Sequence, residues 1–159
     1  MLNELDHELE RRGHRYVRYA DDMVIFCKSK EAAERTLEHL KPYIEGKLFL
    51  KLNEQKTKIC RITDPELKFL GFGFWLSRGG IKARPHQKSK AKCKQRLKAL
   101  TSRSRGQSLD KFRKELRAFV CGWVNYFLFS SMDRFVKETD KWLRRRIRQI
   151  YCNDNVLRC

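Results

Sequence analysis

Apolar positions change their spacing along the chain, from short β-branched runs near the start to helical spacing further on. Residues 2–12 favour a helix. The runs 15–20 and 23–28 are rich in Val, Ile, Tyr and Phe, which is typical of strands. Asp21 and Asp22 stand between the two runs and predict a hairpin turn, since Asp is a common turn residue. The chain is therefore expected to begin with a helix and a β-hairpin.

Helical spacing returns directly after the hairpin. An amphipathic helix is predicted over 30–46, with Ser29 as its N-cap and Pro42 interrupting its last turn. Two further strands are expected near 58–62 and 67–76. The apolar positions of the amphipathic helix, which would face the sheet, are Ala33, Leu37, Leu40 and Ile44.

The last half of the chain has a purely helical pattern, after a turn at 77–80 and a short strand. Helices are predicted over 87–103 and 109–129, joined by the polar connector 103–108, and a third helix follows a cap at Ser131. Apolar residues at three- and four-residue spacing give these helices wide apolar faces. Three such helices with short connectors predict a small antiparallel bundle whose aromatic stripe is core. The fold class is therefore α+β.

Positive charge is concentrated in the C-terminal half. The net charge is +18 at a mass of 19.1 kDa. Residues 1–85 contain 17 Lys and Arg against 13 Asp and Glu, whereas residues 86–159 contain 20 against 6. Such a field attracts polyanions, and binding of nucleic acid would weaken steeply with salt. An anionic membrane is the competing partner, but the apolar stripes are expected to pack against each other, so no membrane binding is predicted.

Composition argues against several classes of protein. The six cysteines form no CxxC pair, which argues against a zinc ribbon or a disulfide framework and favours reduced, buried thiols. The charged start of the chain lacks a secretory signal, so we expect a cytoplasmic protein. No zinc site is predicted, because the four histidines are scattered and are expected to be surface or packing residues, namely His7, His14, His39 and His86.

Asp21 and Asp22 are the candidate metal ligands. Adjacent carboxylates repel each other unless a cation lies between them, and oxygen ligands suit magnesium or manganese. The alternative is a polar hairpin turn with no further role.

Basic side chains of the helical half are the candidate nucleic-acid contacts. Guanidinium groups suit bidentate contacts to phosphate, and few acids are present to balance them. The alternative is a solvated helix face. Contacts of this kind would position the nucleic-acid backbone rather than read bases. The candidates are Lys88, Lys90, Lys92, Lys94, Arg144, Arg145, Arg146 and Arg148.

Four motifs follow one another along the chain. Tyr19-Ala20-Asp21-Asp22 is followed by the segments 52–58 and 69–75, and then by 122–127 within a long basic helical region. This order resembles the reverse transcriptases encoded by group II introns, over nearly the whole chain. The segments read Leu-Asn-Glu-Gln-Lys-Thr-Lys, Phe-Leu-Gly-Phe-Gly-Phe-Trp and Gly-Trp-Val-Asn-Tyr-Phe.

The resemblance implies a division and a set of roles. Residues 1–85 would be the C-terminal part of a reverse transcriptase palm, with hairpin, amphipathic helix and primer-grip strands, and 86–159 a three-helix thumb or maturase domain. Asp21 and Asp22 would bind catalytic Mg²⁺. Lys56 would act near the triphosphate of an incoming deoxynucleotide, the alternative being a surface lysine. The primer grip would be Phe69, Leu70, Gly71 and Phe72, the alternative being a buried strand with a bulge.

One departure from the family pattern limits what is expected of the chain. The family's fingers and a palm strand with another catalytic aspartate precede the residues that match here. Asp6 is no substitute, because its charged neighbours predict a solvated helix face. We therefore expect a fragment that binds structured intron RNA, or an RNA template with its DNA primer, without polymerase activity of its own. The alternatives are a non-catalytic RNA-binding maturase module, and half of a split enzyme completed by an upstream polypeptide.

Overall fold

A computed structural model describes residues 2–102 and 108–156, with side chains described as far as Ile150. These residues form five α-helices and two antiparallel two-stranded sheets, which confirms the α+β class. The predicted connector falls mostly on 103–107, outside the described residues. The elements are α1 Leu2–Arg11, β1 Arg15–Tyr19, β2 Asp22–Phe26, α2 Lys30–Pro42, β3 Phe72–Ser77, β4 Gly80–Pro85, α3 Gln87–Leu100, α4 Leu109–Tyr126 and α5 Asp133–Val156.

The chain divides into two compact units, Met1–Leu70 and Gly71–Cys159. The β3–β4 hairpin therefore belongs to the same compact unit as the helices that follow it. The sequence-based division at residues 85 and 86 separates proposed functions rather than compact units, and it stays a prediction.

The first unit packs α1 and α2 against the β1–β2 hairpin. Leu5 and Leu9 of α1 are buried against Leu40 and Leu48, together with the inward-facing residues of both strands. Ser29 caps α2 as predicted, because its hydroxyl accepts the Ala32 N–H at 3.1 Å. The interruption at Pro42 is also observed: α2 ends there, and one π-helical turn, Tyr43–Lys47, continues the chain.

The second unit consists of the β3–β4 hairpin and helices α3, α4 and α5. Ser77 pairs with Gly80, so the hairpin loop is Arg78-Gly79, within the predicted turn. The helices share one core, as the predicted bundle requires. Cys93, Leu97 and Phe135 are its buried residues, and those packed against them are Leu116, Phe119, Val120, Trp123, Trp142 and Leu143.

Two local predictions were wrong. Residues 58–62, all of them described, form no strand; they lie between a turn centred on Asn53 and a turn centred on Asp64. Ser131 is not the cap of α5, because this helix begins at Asp133 and the residue before it is Met132. The Ser131 N–H donates to the Ala83 carbonyl oxygen of β4 at 2.9 Å. Among the described helices, none is long and apolar enough to cross a membrane.

Candidate metal-binding hairpin and nucleic-acid interface

The tip of the β1–β2 hairpin carries both candidate metal ligands. Tyr19 pairs with Asp22 across the hairpin, which leaves Ala20 and Asp21 as a two-residue loop. Ala20 has a φ of 54°, as tight hairpin loops require, although Ala rarely adopts it. The sequence placed both aspartates in the turn, whereas Asp22 is the first residue of β2. Both side chains are exposed to solvent.

Arg18 holds the hairpin tip against α1. Its Nε donates to Asp6 Oδ1 at 2.8 Å, its Nη2 donates to the other carboxylate oxygen, and its Nη1 donates to the Ala20 carbonyl oxygen at 3.0 Å. This two-pronged hydrogen bond lowers the pKa of Asp6, and burial opposes it. Asp6 therefore lies in a structural ion pair and not on the solvated face that its neighbours predicted.

Sequence analysis missed the role of Arg18. The signal was alternation: Arg18 and Tyr16 are two residues apart on β1, so both point to the face that packs on α1. An arginine on an inward face needs a buried or half-buried acid, and α1 supplies it.

The donor atoms at the tip fit Mg²⁺ as part of a site. Carboxylate oxygens are the ligands that this ion prefers, and Asp21 and Asp22 offer them side by side. Within the described ranges, no group of three or more His, Cys, Asp or Glu residues could hold a metal ion. Further ligands would have to come from water, from phosphate oxygens or from another polypeptide segment.

Lys56 lies in an exposed turn of the irregular segment before β3. Its backbone N–H donates to Asn53, to the carbonyl oxygen at 3.1 Å and to Oδ1 at 3.2 Å. Lys56, Asp21 and Asp22 thus lie on the same compact unit, but no hydrogen bond or ion pair among the described residues joins Lys56 to the two aspartates.

The candidate primer grip lies where the chain enters β3. Leu70 and Gly71 have positive φ values of 49° and 84°. The Gly71 carbonyl oxygen accepts from the His86 N–H at 2.9 Å and from the Ser89 hydroxyl at 2.8 Å. Phe72 opens β3 and stacks on Tyr126, with ring centroids 5.7 Å apart. The close approach at Gly71 is therefore made by the start of α3; Phe69 lies just before this turn and is half-buried.

The lysines of α3 fall on two sides of the helix. Lys90 and Lys94 are one turn apart, and each Nζ lies 5.7 Å from the centre of the Phe135 ring. Lys88 and Lys92 are also one turn apart, but they point to a different side of the helix. Alternate lysines in the sequence therefore separate into two pairs in space.

The arginines of α5 also differ from one another. Arg144 pairs with Asp140 at 2.8 Å, while Arg145 and Arg148 are exposed. Arg146 is half-buried, donates to Thr101 at the end of α3, and lies 5.2 Å from the centre of the Trp142 ring. One of the predicted RNA contacts, Arg146, is therefore hydrogen-bonded to another helix of the protein.

Comparison with known proteins gives two family matches along the chain. Reverse transcriptase (RNA-dependent DNA polymerase) matches residues 1–74, and Group II intron, maturase-specific domain matches residues 90–154. Group II intron-encoded protein LtrA of Lactococcus lactis subsp. cremoris is 43% identical over 67 residues, and so is LtrA of strain MG1363. Those residues are 42% of this chain and 11% of each relative. In order along the chain, the protein therefore carries residues that match a reverse transcriptase and residues that match the maturase-specific domain of group II introns.

Proposed function

We propose that this chain combines the metal-motif hairpin of a reverse transcriptase palm with a basic helical thumb that binds intron RNA and assists its splicing. The observation that carries RNA binding is α3, whose 14 residues include six Lys or Arg and no Asp or Glu. A helix with this composition attracts a phosphate backbone, because it has no acidic side chain of its own to balance its cations.

The aspartates have their proposed role in the complete enzyme, which transfers deoxynucleotides from their triphosphates to the 3′ hydroxyl of a DNA primer on an RNA template. Asp21 would bind Mg²⁺ directly, and Asp22 would support it or bind it more weakly. When bound, Mg²⁺ supplies positive charge next to the phosphate oxygens. Lys56 would neutralise or protonate the leaving pyrophosphate, and the segment from Phe69 to Phe72 would support the primer end.

We propose that the chain alone has no polymerase activity. A two-metal reaction needs carboxylates from more than one strand, and the hairpin tip offers two adjacent ones. In that case the isolated chain acts as an RNA-binding maturase module.

A split enzyme is the second candidate, and the open face of the hairpin favours it. Val17, Tyr19 and Phe26 lie on the face turned away from α1, with 49%, 65% and 45% of their surface exposed. An upstream polypeptide would cover this apolar face, while its palm strands would pair with the edge of the hairpin.

Two assays test these proposals on the full chain. The first measures binding to a structured intron RNA at about 50 and 200 mM salt, where contacts to phosphates predict a steep loss of affinity. The second measures primer extension on an RNA template with Mg²⁺. An Asp21→Ala, Asp22→Ala variant is the control in both.

The outcomes separate the candidates. Salt-sensitive RNA binding without extension, unchanged in the variant, supports the RNA-binding module. Extension that the variant abolishes would overturn the proposal of inactivity. Extension that appears only after adding an upstream fingers and palm polypeptide supports the split enzyme, and loss of RNA binding at low salt would overturn the RNA-binding function.

A further inference from the structure

A cavity of about 630 Å³ opens in the second unit between the β3–β4 hairpin, α3 and the start of α5. Four of the side chains that line it are cationic, and one is acidic. Sequence position gives no hint of this group, because its members are spread over 64 residues of the chain, from β3 to α5. The members used below are Trp75, Arg84, Lys90, Lys94, Arg134 and Glu138.

Two of the cations come from one side of α3. Lys90 and Lys94 are four residues apart, a spacing that brings side chains together on a helix. Both ammonium groups approach the ring of Phe135, which is 8% exposed and forms the floor of the cavity. Lys88 and Lys92 do not line the cavity. The cavity is therefore lined by two of the five lysines of α3.

The positive charges of the cavity are only partly balanced. Glu138 accepts a hydrogen bond from Arg134 Nε at 2.9 Å, and this pair lies at the exposed rim. Burial lowers the pKa of Lys90, and the charges of Arg84, Lys94 and Arg134 lower it further, while Glu138 opposes them. Lys90 is thus a partly desolvated cation surrounded by three exposed ones, and an anion would relieve the repulsion among them.

We infer that this cavity binds one phosphate group of an RNA backbone through Arg84, Lys90 and Lys94. Arg134 joins them when the phosphate displaces Glu138 from its guanidinium. The inference rests on the proposed RNA-binding function and assigns it a specific site. Phosphate fits the donors, because guanidinium and ammonium groups form charge-assisted hydrogen bonds to its oxygens. Trp75, which also lines the cavity, would face the sugars next to this phosphate.

The first test compares two substitutions that each remove one negative charge from α5. Glu138→Gln removes the acid of the cavity, whereas Asp140→Asn removes a carboxylate that pairs with Arg144 and does not line the cavity. We expect Glu138→Gln to tighten binding of a structured intron RNA about three- to tenfold at low salt, and Asp140→Asn to change it less than about twofold. Equal effects would mean that only the overall charge matters, and they would overturn the site.

The second test removes two positive charges from α3 in two ways. We expect the pair Lys90→Met, Lys94→Met to weaken RNA binding about tenfold or more, and to reduce the slope of log affinity against log salt by about 1 to 2. The pair Lys88→Met, Lys92→Met should have a clearly smaller effect on both. Met keeps most of the aliphatic stem, and thermal unfolding checks both variants for folding.

The same assays distinguish failure of the cavity site from failure of the RNA-binding function. A phosphate probe distinguishes binding of the RNA backbone from binding of free phosphate. If wild-type protein binds RNA and both lysine pairs weaken it equally, the function stands and the cavity site is wrong. If wild-type protein does not bind RNA at low salt, both are wrong. Inorganic phosphate, compared with chloride at equal ionic strength, is the second probe: displacement of RNA at micromolar phosphate would identify a free-phosphate site and overturn the assignment to the backbone.

Discussion

Arg146 of α5 donates its Nε–H to the hydroxyl of Thr101 at 2.7 Å, just beyond the last residue of α3. Its Nη2 donates to the Thr101 carbonyl oxygen at 3.1 Å, and the Thr101 hydroxyl in turn donates to the Leu97 carbonyl oxygen at 2.8 Å. A guanidinium here satisfies carbonyl groups that a helix end leaves without partners and complements its negative end. Arg146 therefore joins two helices of the basic unit.

We predict that Arg146→Ala destabilises the protein, unlike its neighbour. Loss of a charged hydrogen bond to Thr101, a residue that is 1% exposed, should lower the free energy of unfolding by roughly 1–3 kcal/mol. Arg145→Ala removes the same kind of side chain from an exposed position and should change the free energy of unfolding by less than about 0.5 kcal/mol. Urea unfolding followed by Trp fluorescence measures both variants, and equal stability of the two would refute the structural role of Arg146.

Glu8 is predicted to make stability depend on pH in the acid range. Hydrogen bonds from Arg11 and Arg12 hold the pKa of Glu8 at about 2, below its ordinary value of 4.5. A lowered pKa in the folded state stabilises the fold above pH 4.5, and this contribution is lost as the pH falls from 4.5 towards 2. Glu8→Gln should therefore be less stable than wild type at neutral pH, by a difference that shrinks below pH 4.5.

The measurement is the free energy of unfolding of both proteins at several pH values between about 7 and 3. Glu34→Gln, which removes an exposed carboxylate paired with Lys30, is the matched control. A difference between wild type and Glu8→Gln that stays constant over this range would show that the arginines do not lower the pKa of Glu8.

Local patterns predicted those elements whose stability comes from residues close in sequence. The cap at Ser29, the interruption at Pro42 and the β1–β2 hairpin all follow from turn chemistry, helix spacing and β-branched runs. The strand expected at 58–62 did not form: turns flank the segment on both sides, and no strand among the described residues pairs with it.

Pairing across elements could not be predicted from spacing. Asp6 and Arg18 are 12 residues apart, and Arg146 and Thr101 are 45 apart, so only the folded chain brings each pair together. The same limit applies to the basic residues. A charge run predicts an attraction to nucleic acid, but it does not show which cations line a cavity, as Lys90 does, and which hold helices together.

Ala20 is predicted to lower the stability of the hairpin tip. An L-residue with a φ of 54° costs about 1–2 kcal/mol, which glycine avoids at a smaller cost in chain entropy. We expect Ala20→Gly to raise the free energy of unfolding by about 0.5–1 kcal/mol. Ala118→Gly, at an exposed position inside α4, should lower it by about 1 kcal/mol. Destabilisation by both substitutions would argue against the positive φ at Ala20.

Gly71 and Gly122 are predicted to respond to alanine in opposite ways. At Gly71 the φ is +84°, and an added Cβ would lie 3.3 Å from Ser89 Oγ and 3.4 Å from the Phe127 ring. Gly71→Ala should therefore lower the free energy of unfolding by about 1–3 kcal/mol. At Gly122, inside α4, an added Cβ would meet no atom within 4 Å outside the neighbouring backbone of its own helix, so Gly122→Ala should raise the free energy of unfolding by about 1 kcal/mol.

Chemical denaturation of the two glycine variants measures these signs, and RNA binding adds a second readout for Gly122. Packing within the chain does not require a glycine there, so a stabilised Gly122→Ala variant that binds RNA normally makes this glycine dispensable. Stabilisation together with weaker RNA binding would instead place the RNA backbone close to this turn of α4, because only a close approach from outside the chain can exclude a methyl group that the fold itself accommodates. A destabilised Gly122→Ala variant would contradict the open space seen around this position.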